Sequence, residues 1–161
     1  MIKLSPTQEV YFMNEAIKEA KKAYALGEVP IGCVLVYQGK IIARGHNLRE
    51  KNQAVLAHAE IQAIQQANQV LKSWRLEDTQ LFVTLEPCPM CAGAILNARI
   101  AAVYYGAYDL KAGCAGTLMN LLTDKRFNHQ CYVKKGICQS TCQNLLQDFF
   151  EEIRQKNSEK D

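Results

Sequence analysis

Hydrophobic residues recur along this chain with two periods, and each period predicts one type of element. Between residues 7 and 26, apolar side chains return at every third or fourth position, which predicts a helix with one buried face. Gly27 follows and is suited to ending that helix. The same spacing predicts helices over residues 58–71 and 138–154, and a further helix begins near Pro87.

Short alternating or β-branched runs lie between these helices and predict five strands, at residues 31–37, 41–44, 81–85, 101–106 and 131–133. The first two flank Gln38-Gly39-Lys40 and predict a β-hairpin, and a short helical turn is expected at residues 118–122. Helices placed between strands indicate a sheet covered on both faces. We therefore expect an α/β fold with three layers, α/β/α, around a central mixed five-stranded sheet.

Length and composition limit the class of protein. A chain of 161 residues fits a single domain, residues 1–161, and its 48% hydrophobic and 22% charged residues are typical of globular proteins. It lacks an apolar run long enough to cross a bilayer, and its polar N-terminal segment lacks the features of a secretory signal. We expect a cytoplasmic protein without a membrane partner. The net charge of +3 permits a polyanionic partner without requiring one.

The seven cysteines form an odd set, which argues against a disulfide framework in a chain without an export signal. Four of them fit packing roles in apolar strands or on the last helix: Cys33, Cys131, Cys138 and Cys142. Cys88 and Cys91 differ because they stand in Pro87-Cys88-Pro89-Met90-Cys91, at the start of a predicted helix. Their spacing brings both sulfur atoms to one side of a first helical turn, where the helix dipole favours thiolates.

A second short segment, His58-Ala59-Glu60, opens another predicted helix and supplies a third metal ligand. His58, Cys88 and Cys91 would bind one zinc ion per chain and leave a fourth position for water, as in catalytic zinc sites. Glu60 would then move protons. Residues two apart on a helix face different directions, so its carboxylate reaches the metal only if the site wraps around the helix end.

Other uses of these residues are less consistent with the sequence. A lone Cys-x-x-Cys pair also occurs in thioredoxin-like redox sites and in four-cysteine zinc ribbons, and a lone histidine on a helix is usually structural. A ribbon requires a second Cys-x-x-Cys pair, which the sequence lacks. Redox chemistry is disfavoured because Cys88 follows a strand and a glutamate stands beside the third ligand.

His-x-Glu followed by Pro-Cys-x-x-Cys is the signature of zinc-dependent nucleobase deaminases. Within that cytidine/deoxycytidylate deaminase superfamily, the chain resembles the bacterial tRNA-specific adenosine deaminases over nearly its whole length. The resemblance is carried by residues 27–32, 46–47, 57–61, 84–94, 98–100, 103–107, 109, 113–117, 128–129 and 148–150. Among these, Ala115-Gly116-Thr117 and Asn128-His129 favour the tRNA enzymes over relatives that act on free bases.

The resemblance implies a cytidine-deaminase-like fold, zinc and a set of residue roles. His58, Cys88 and Cys91 would hold zinc and Glu60 would be catalytic, while the substrate would contact Asn47, Pro30, Ile31, Asp109 and Lys111. Asn47 would bind the flipped nucleotide, Pro30 and Ile31 would line the base pocket, and Asp109 and Lys111 would contact the anticodon backbone. The implied enzyme is a cytoplasmic homodimer that converts adenosine to inosine at the wobble position of the anticodon stem-loop of a tRNA, an arginine tRNA in this family.

Two alternatives stay open at this point. A deaminase of a free nucleobase or nucleoside, such as guanine or cytosine, would share every zinc-site residue. A catalytically silent zinc-binding module that recognises RNA is disfavoured because Glu60 is intact. The chain also departs from the family pattern, with Ala54-Val55-Leu56 where Asp-Pro-Thr is common and Glu151-Glu152 where many members are basic. A carboxylate at the second position would weaken contact with RNA phosphates. Cys114, where alanine is usual, is interpreted as a small apolar substitution.

Overall fold

A computed structural model describes residues 3–160, so both ends of the predicted 1–161 domain lie outside the described residues. Along this part of the chain the helices are α1 (Pro6–Ala25), α2 (Arg49–Asn52), α3 (Ala59–Leu71), α4 (Pro89–Ala98) and α5 (Gln139–Glu159). The strands are β1 (Gly32–Tyr37), β2 (Lys40–His46), β3 (Thr79–Leu85), β4 (Ala102–Ala107) and β5 (Tyr132–Lys135).

The first helix begins where its sequence supplies both partners of a capping box. Ser5 Oγ accepts the backbone N–H of Gln8 at 3.2 Å, and the Gln8 side chain accepts the N–H of Ser5 at 2.9 Å. Pro6 occupies the first turn, where its missing N–H is not needed. The predicted helix over residues 7–26 is confirmed to within a residue at each end.

The five strands form one mixed sheet in the order β2-β1-β3-β4-β5. β1 is antiparallel to both β2 and β3, whereas β3, β4 and β5 run parallel. The register pairs Gly32 with His46 and Leu85 with Ala107. The start of β1 and the ends of β2, β3 and β4 therefore meet at one edge of the sheet, where the predicted site residues also lie.

Alternating side chains divide the core between the two faces of the sheet. Cys33, Leu35 and Val83 belong to a buried cluster with α3 and α4, whereas Val34 and Phe82 belong to a cluster with α1 and α5. This period-two alternation is the pattern of a sheet buried on both faces. The predicted three-layer α/β/α architecture around a mixed five-stranded sheet is confirmed.

Two local elements differ from the expectation. Residues 118–122 do not form a helical turn, because the chain reverses at Gly116, with φ of 133°, and closes through an isolated bridge between Ala115 and Asn120. The four-residue α2 was not predicted, since four residues are too few to show a hydrophobic period.

The start of the last helix also differs from the expectation. Cys138 precedes α5 in a left-handed conformation, so α5 begins one residue later than predicted, although Cys138 still packs against the buried cluster that contains Cys142. Within residues 3–160, no helix has both the length and the apolar character that a membrane span requires.

Candidate metal centre and active site

Two of the predicted metal ligands lie immediately before helices at the sheet edge. His58 precedes α3 with φ of −82° and ψ of 154°, and Cys88 precedes α4 with φ of −76° and ψ of 174°. Both residues are in extended conformation at the N-cap position. Cys91 follows in the first turn of α4, where Pro89 occupies a position that needs no N–H. Extended N-cap residues aim their side chains across the helix start, so three ligands from two helices converge.

The three donor atoms are spaced as a single zinc ion requires. His58 Nδ1 lies 3.6 Å from Cys88 Sγ and 3.5 Å from Cys91 Sγ, and the three donor atoms lie within 4.8 Å of one another. Tetrahedral zinc bonds of about 2.3 Å to sulfur and about 2.1 Å to nitrogen would place these atoms about 3.6 Å apart. The residues present therefore fit the ion, and one imidazole and two thiols are a donor set that suits zinc.

Glu60 is brought back to the same cluster. It is only 4% exposed and lies in the first turn of α3, and its carboxylate is hydrogen-bonded with the Cys91 side chain. His58 stands outside the helix, so the rule that residues two apart on a helix diverge does not apply to this pair. Burial raises the pKa of Glu60 to about 7. A carboxyl group in that range can both accept and donate a proton at neutral pH.

Hydrogen bonds among the two thiols and the imidazole shift the pKa values of all three groups. A hydrogen bond from Cys91, assisted by His58, lowers the pKa of Cys88 to about 4, and the same bond raises the pKa of Cys91. The hydrogen bond with Cys88 raises the pKa of His58. The cluster thus already stabilises one thiolate, the form in which cysteine binds metal.

A cavity of about 190 Å³ opens beside the cluster. It brings together His58, Cys88 and Glu60 with three of the predicted substrate-binding residues, Ile31, Asn47 and Asp109. The other two predicted residues are placed differently: Pro30 is buried behind Val29 and Ile31, and Lys111 is exposed outside the lining. Further lining residues are Val29, Arg49, Ala59, Leu85, Glu86 and Ala112.

Asn47 is held with its amide facing the cavity by two backbone contacts. Its Nδ2 donates to the carbonyl oxygen of Val29 at 3.2 Å, and its Oδ1 accepts the N–H of Arg49 at 3.1 Å. A carboxamide has two donor hydrogens and two acceptor lone pairs. One donor and one acceptor therefore remain to bind a polar ligand such as a nucleotide.

Sequence reasoning missed three charged residues that shape this cavity. Glu28 is buried and accepts the backbone N–H groups of Glu50 and Lys51 at 3.0 and 2.7 Å, which fixes the short helix α2 beside Asn47. Arg49 is the one lysine or arginine among the cavity-lining residues within 3–160. Glu86 accepts hydrogen bonds from the loop over residues 109–117. None of the three stands in a periodic hydrophobic pattern, so the only signal in the sequence was that Glu28 and Glu86 lie within family-like segments.

The Asn128-His129 pair, which favoured the tRNA enzymes in the sequence, does not line the cavity. His129 Nε2 lies 2.7 Å from the carbonyl oxygen of Ile100, which stands two residues before β4. This contact ties the loop before β5 to the segment before β4. His129 therefore connects two segments of the fold and does not line the candidate site.

The fold and the converging His-Cys-Cys-Glu cluster define a deaminase-like protein, and the comparisons with known proteins agree. The family model described as MafB19-like deaminase matches residues 7–154. A tRNA-specific adenosine deaminase of Bacillus subtilis (strain 168) is 57% identical over 150 residues, which cover 93% of each chain. The chain belongs to the tRNA-specific adenosine deaminase family.

Two solved structures extend the comparison. One, from a study of A-to-I editing by tRNA:A34 deaminases at the wobble position of transfer RNA, superposes with a TM-score of 0.81 at 42% identity, covering 84% of this chain and 99% of the other. A guanine deaminase from Bacillus subtilis is 40% identical with a TM-score of 0.60, covering 66% of this chain and 69% of the other. The TM-score and the share of this chain that is covered are thus both higher for the tRNA enzyme.

Proposed function

We propose that this protein hydrolyses adenosine to inosine at the wobble position of a tRNA anticodon, with an arginine tRNA as the expected substrate. The observation that carries the proposal is the buried Glu60 carboxylate held against His58, Cys88 and Cys91 beside an open cavity. Membership of the tRNA-specific adenosine deaminase family supports the choice of adenosine in tRNA.

His58, Cys88 and Cys91 would hold one zinc ion per chain, as their donor distances allow. A zinc ion bound there would supply Lewis-acid activation of a water molecule. The three side chains would contribute one imidazole nitrogen and two thiolate sulfurs, leaving room for the water on the cavity side. Glu60 is not among the donor groups that lie within 4.8 Å of one another, so it is not counted as a ligand in this proposal.

Glu60 would transfer the protons that the hydrolysis requires. Replacement of the amino group of adenine by oxygen needs both protons removed in turn from the attacking water, one of them added to the ring nitrogen and the other delivered to the amino group, which leaves as ammonia. A buried carboxyl group with a pKa raised to about 7 can do each of these in turn. Its position against Cys91 holds it beside the metal ligands throughout.

The cavity would accept an extruded base. Ile31 and Val29 supply apolar contact, and Asn47 retains one donor and one acceptor for the nucleotide. Asp109, with Lys111 just outside the rim, would contact the neighbouring anticodon backbone, and Pro30 would support the pocket wall from behind. A base in a loop is the least costly to extrude because it is not paired.

Assembly and location follow from the family. We infer that residues 1–161 form a single zinc-dependent deaminase domain, that two copies associate as a homodimer, and that the protein works in the cytoplasm on tRNA without a membrane. Support comes from the one continuous sheet of the described residues and from the relatives named for tRNA.

Deamination of guanine is the second candidate function. The specific observation in its favour is the solved Bacillus subtilis guanine deaminase, 40% identical over 66% of this chain. Its lower TM-score and coverage make it the weaker candidate. A silent RNA-binding module would have no use for a buried Glu60 beside the ligand cluster.

The direct test is to incubate the zinc-loaded protein with unmodified total tRNA and sequence the product. We expect inosine at the wobble position of arginine tRNA and far less inosine with the Glu60→Gln variant over the same reaction time. Absence of inosine from every tRNA, with release of ammonia from guanine by the same preparation, would favour the second candidate instead.

A further inference from the structure

Glu86 is a buried carboxylate that the proposed chemistry does not use. It is 2% exposed and follows β3 directly, two residues before Cys88. Its Oε1 accepts the backbone N–H of Asp109 at 3.1 Å and the hydroxyl of Thr117 at 2.5 Å. Its Oε2 accepts the backbone N–H groups of Ala115 and Thr117, each at 3.0 Å. All four contacts are donated to Glu86, so it serves purely as an acceptor.

The loop over residues 109–117 is folded closely around this carboxylate. At Gly113, an added Cβ would lie 2.5 Å from both Glu86 Cδ and the carbonyl oxygen of Asp109, so only glycine fits. The next residue, Cys114, donates its N–H to the carbonyl oxygen of Pro87 at 2.9 Å. Contacts at both its start and its end therefore fix the loop to the segment that carries Cys88.

This loop presents Asp109 to the cavity. The Asp109 side chain is itself ordered, because its Oδ1 accepts the N–H groups of Lys111 and Ala112 at 3.0 and 3.1 Å. Asp109 and Ala112 both line the cavity that Asn47 also lines, and they form its 109–117 wall. Glu86 therefore determines where this wall lies, whereas His58, Cys91 and Glu60 are held by other contacts.

We propose that Glu86 is a positioning residue for substrate recognition, which acts by holding the 109–117 loop so that Asp109 meets the RNA. That the substrate is an RNA rests on the proposed function. When a buried backbone N–H loses its carboxylate acceptor, the surrounding loop becomes less stable, since an unsatisfied buried donor is unfavourable. Loss of the carboxylate should consequently displace the recognition loop while leaving the proton-transferring side chain and the metal ligands in place.

The test compares the wild type with Glu86→Gln, which keeps the shape of the side chain but turns an amide donor toward groups that also donate. We expect KM for an anticodon stem-loop RNA to rise by about tenfold to a hundredfold, with kcat and zinc content close to wild type. Glu9→Gln is the matched control: Glu9 is also buried, at 5% exposure, but pairs with Lys134 and packs from α1 on the other face of the sheet. It should leave KM unchanged.

Amide hydrogen exchange supplies a second readout that does not depend on the substrate. In Glu86→Gln, the N–H groups of Asp109, Ala115 and Thr117 should exchange faster, whereas Glu9→Gln should leave them protected. Unchanged protection at all three would overturn the proposal. A wild-type protein inactive on RNA would refute the proposed function, yet the exchange data would still decide the role of Glu86.

Two further variants separate positioning from a general structural role. The double variant Glu86→Gln with Asp109→Ala should raise KM no further than Asp109→Ala alone, because both changes remove the same contact. Additive increases in KM, or a loss of kcat and zinc content in folded Glu86→Gln, would contradict the proposal. If Glu86→Gln does not fold, Thr117→Val removes only the hydroxyl donor and should raise KM in the same direction by a smaller factor; an unchanged KM there would count against it.

Discussion

At the residue scale, the chemistry of this protein depends on side chains that stand just before helices. His58 and Cys88 are both in extended conformation at helix N-caps, and each begins the helix that follows it. Neither uses its side chain to cap the helix, so both side chains are free for another partner. Glu60 and Cys91, in the first turns of these helices, lie in the same cluster.

The ligand assignment is tested by Cys91→Ala. Removing one of three closely spaced donors should abolish stoichiometric zinc binding, because two remaining ligands hold the ion far less tightly. Metal content after dialysis, measured by mass spectrometry, gives the answer. Cys142→Ala, a truncation of another buried cysteine on the opposite face of the sheet, should keep its zinc. Full zinc retention by Cys91→Ala would show that the assignment is wrong.

Glu60→Gln tests the proton transfer. The amide has nearly the same shape but cannot shuttle a proton, so kcat should fall by about 10² to 10⁴, with zinc still bound. Single-turnover rates on stem-loop RNA, with metal content determined on the same sample, make the comparison. Turnover at the wild-type rate by a fully metallated variant would remove Glu60 from the mechanism.

At the element scale, hydrophobic periods were sufficient to predict the long helices and the five strands. They failed where a segment owes its shape to contacts distant in sequence. The helix α2 is held by Glu28, which lies more than twenty residues earlier, and the turn near Gly116 is held by Glu86, about thirty residues earlier. A local pattern cannot reveal such partners.

The residues of the candidate site also fall into those that local sequence predicts and those that depend on contacts distant in sequence. The motif spacing was sufficient to group His58, Cys88 and Cys91, because the ligands open two adjacent helices at one sheet edge. The convergence of Glu60, which the resemblance implied, could not be predicted from spacing alone, since it depends on His58 lying outside the helix. Arg49, at the start of the short helix α2, and Glu86, in the segment after β3, were missed because tertiary contacts set the course of both segments.

The packing of α1 on β2 gives a prediction about pH. Hydrogen bonds from Lys18, at 2.6 Å, and from Arg44, at 2.7 Å, lower the pKa of Glu15 below its usual 4.5. A carboxylate with a lowered pKa in the folded state stabilises the protein above the unfolded pKa and loses that contribution as pH falls through the folded pKa.

Urea unfolding of the wild type and Glu15→Gln over a range of pH should show this dependence. We expect the wild type to be more stable by at most about 1 kcal/mol at neutral pH, as partly exposed ion pairs contribute little. The difference should shrink as pH falls below 4.5, where the unfolded-state carboxyl takes up its proton. A difference that stays constant down to acid pH would contradict the pairing.

At the scale of the whole molecule, the proposed homodimer is tested by mass. Analytical ultracentrifugation at micromolar concentration should give about twice the 18.1 kDa of one chain. Several large apolar side chains are exposed in the described chain, among them Leu110, Leu118 and Phe127, and association would bury such surface. A species of 18.1 kDa under those conditions would contradict the dimer.

Net charge offers little help in choosing the substrate. At +3, the chain should bind RNA through a few phosphate contacts and through the shape of the loop. Binding should therefore weaken moderately as salt rises, whereas an enzyme for free bases should show little salt dependence. The cavity itself, with one arginine at its lining and the buried Glu60 beside the ligand cluster, is compatible with an extruded base joined to a phosphate backbone.

The central claim is that the cavity acts on adenosine within an anticodon loop. The measurement that tests it most directly compares kcat/KM for an arginine-tRNA anticodon stem-loop with kcat/KM for guanine, adenine, cytosine and adenosine, all at one salt concentration. The proposed function predicts that the stem-loop is deaminated far more efficiently than every free base or nucleoside. Faster deamination of guanine, or of any other free base, would contradict it.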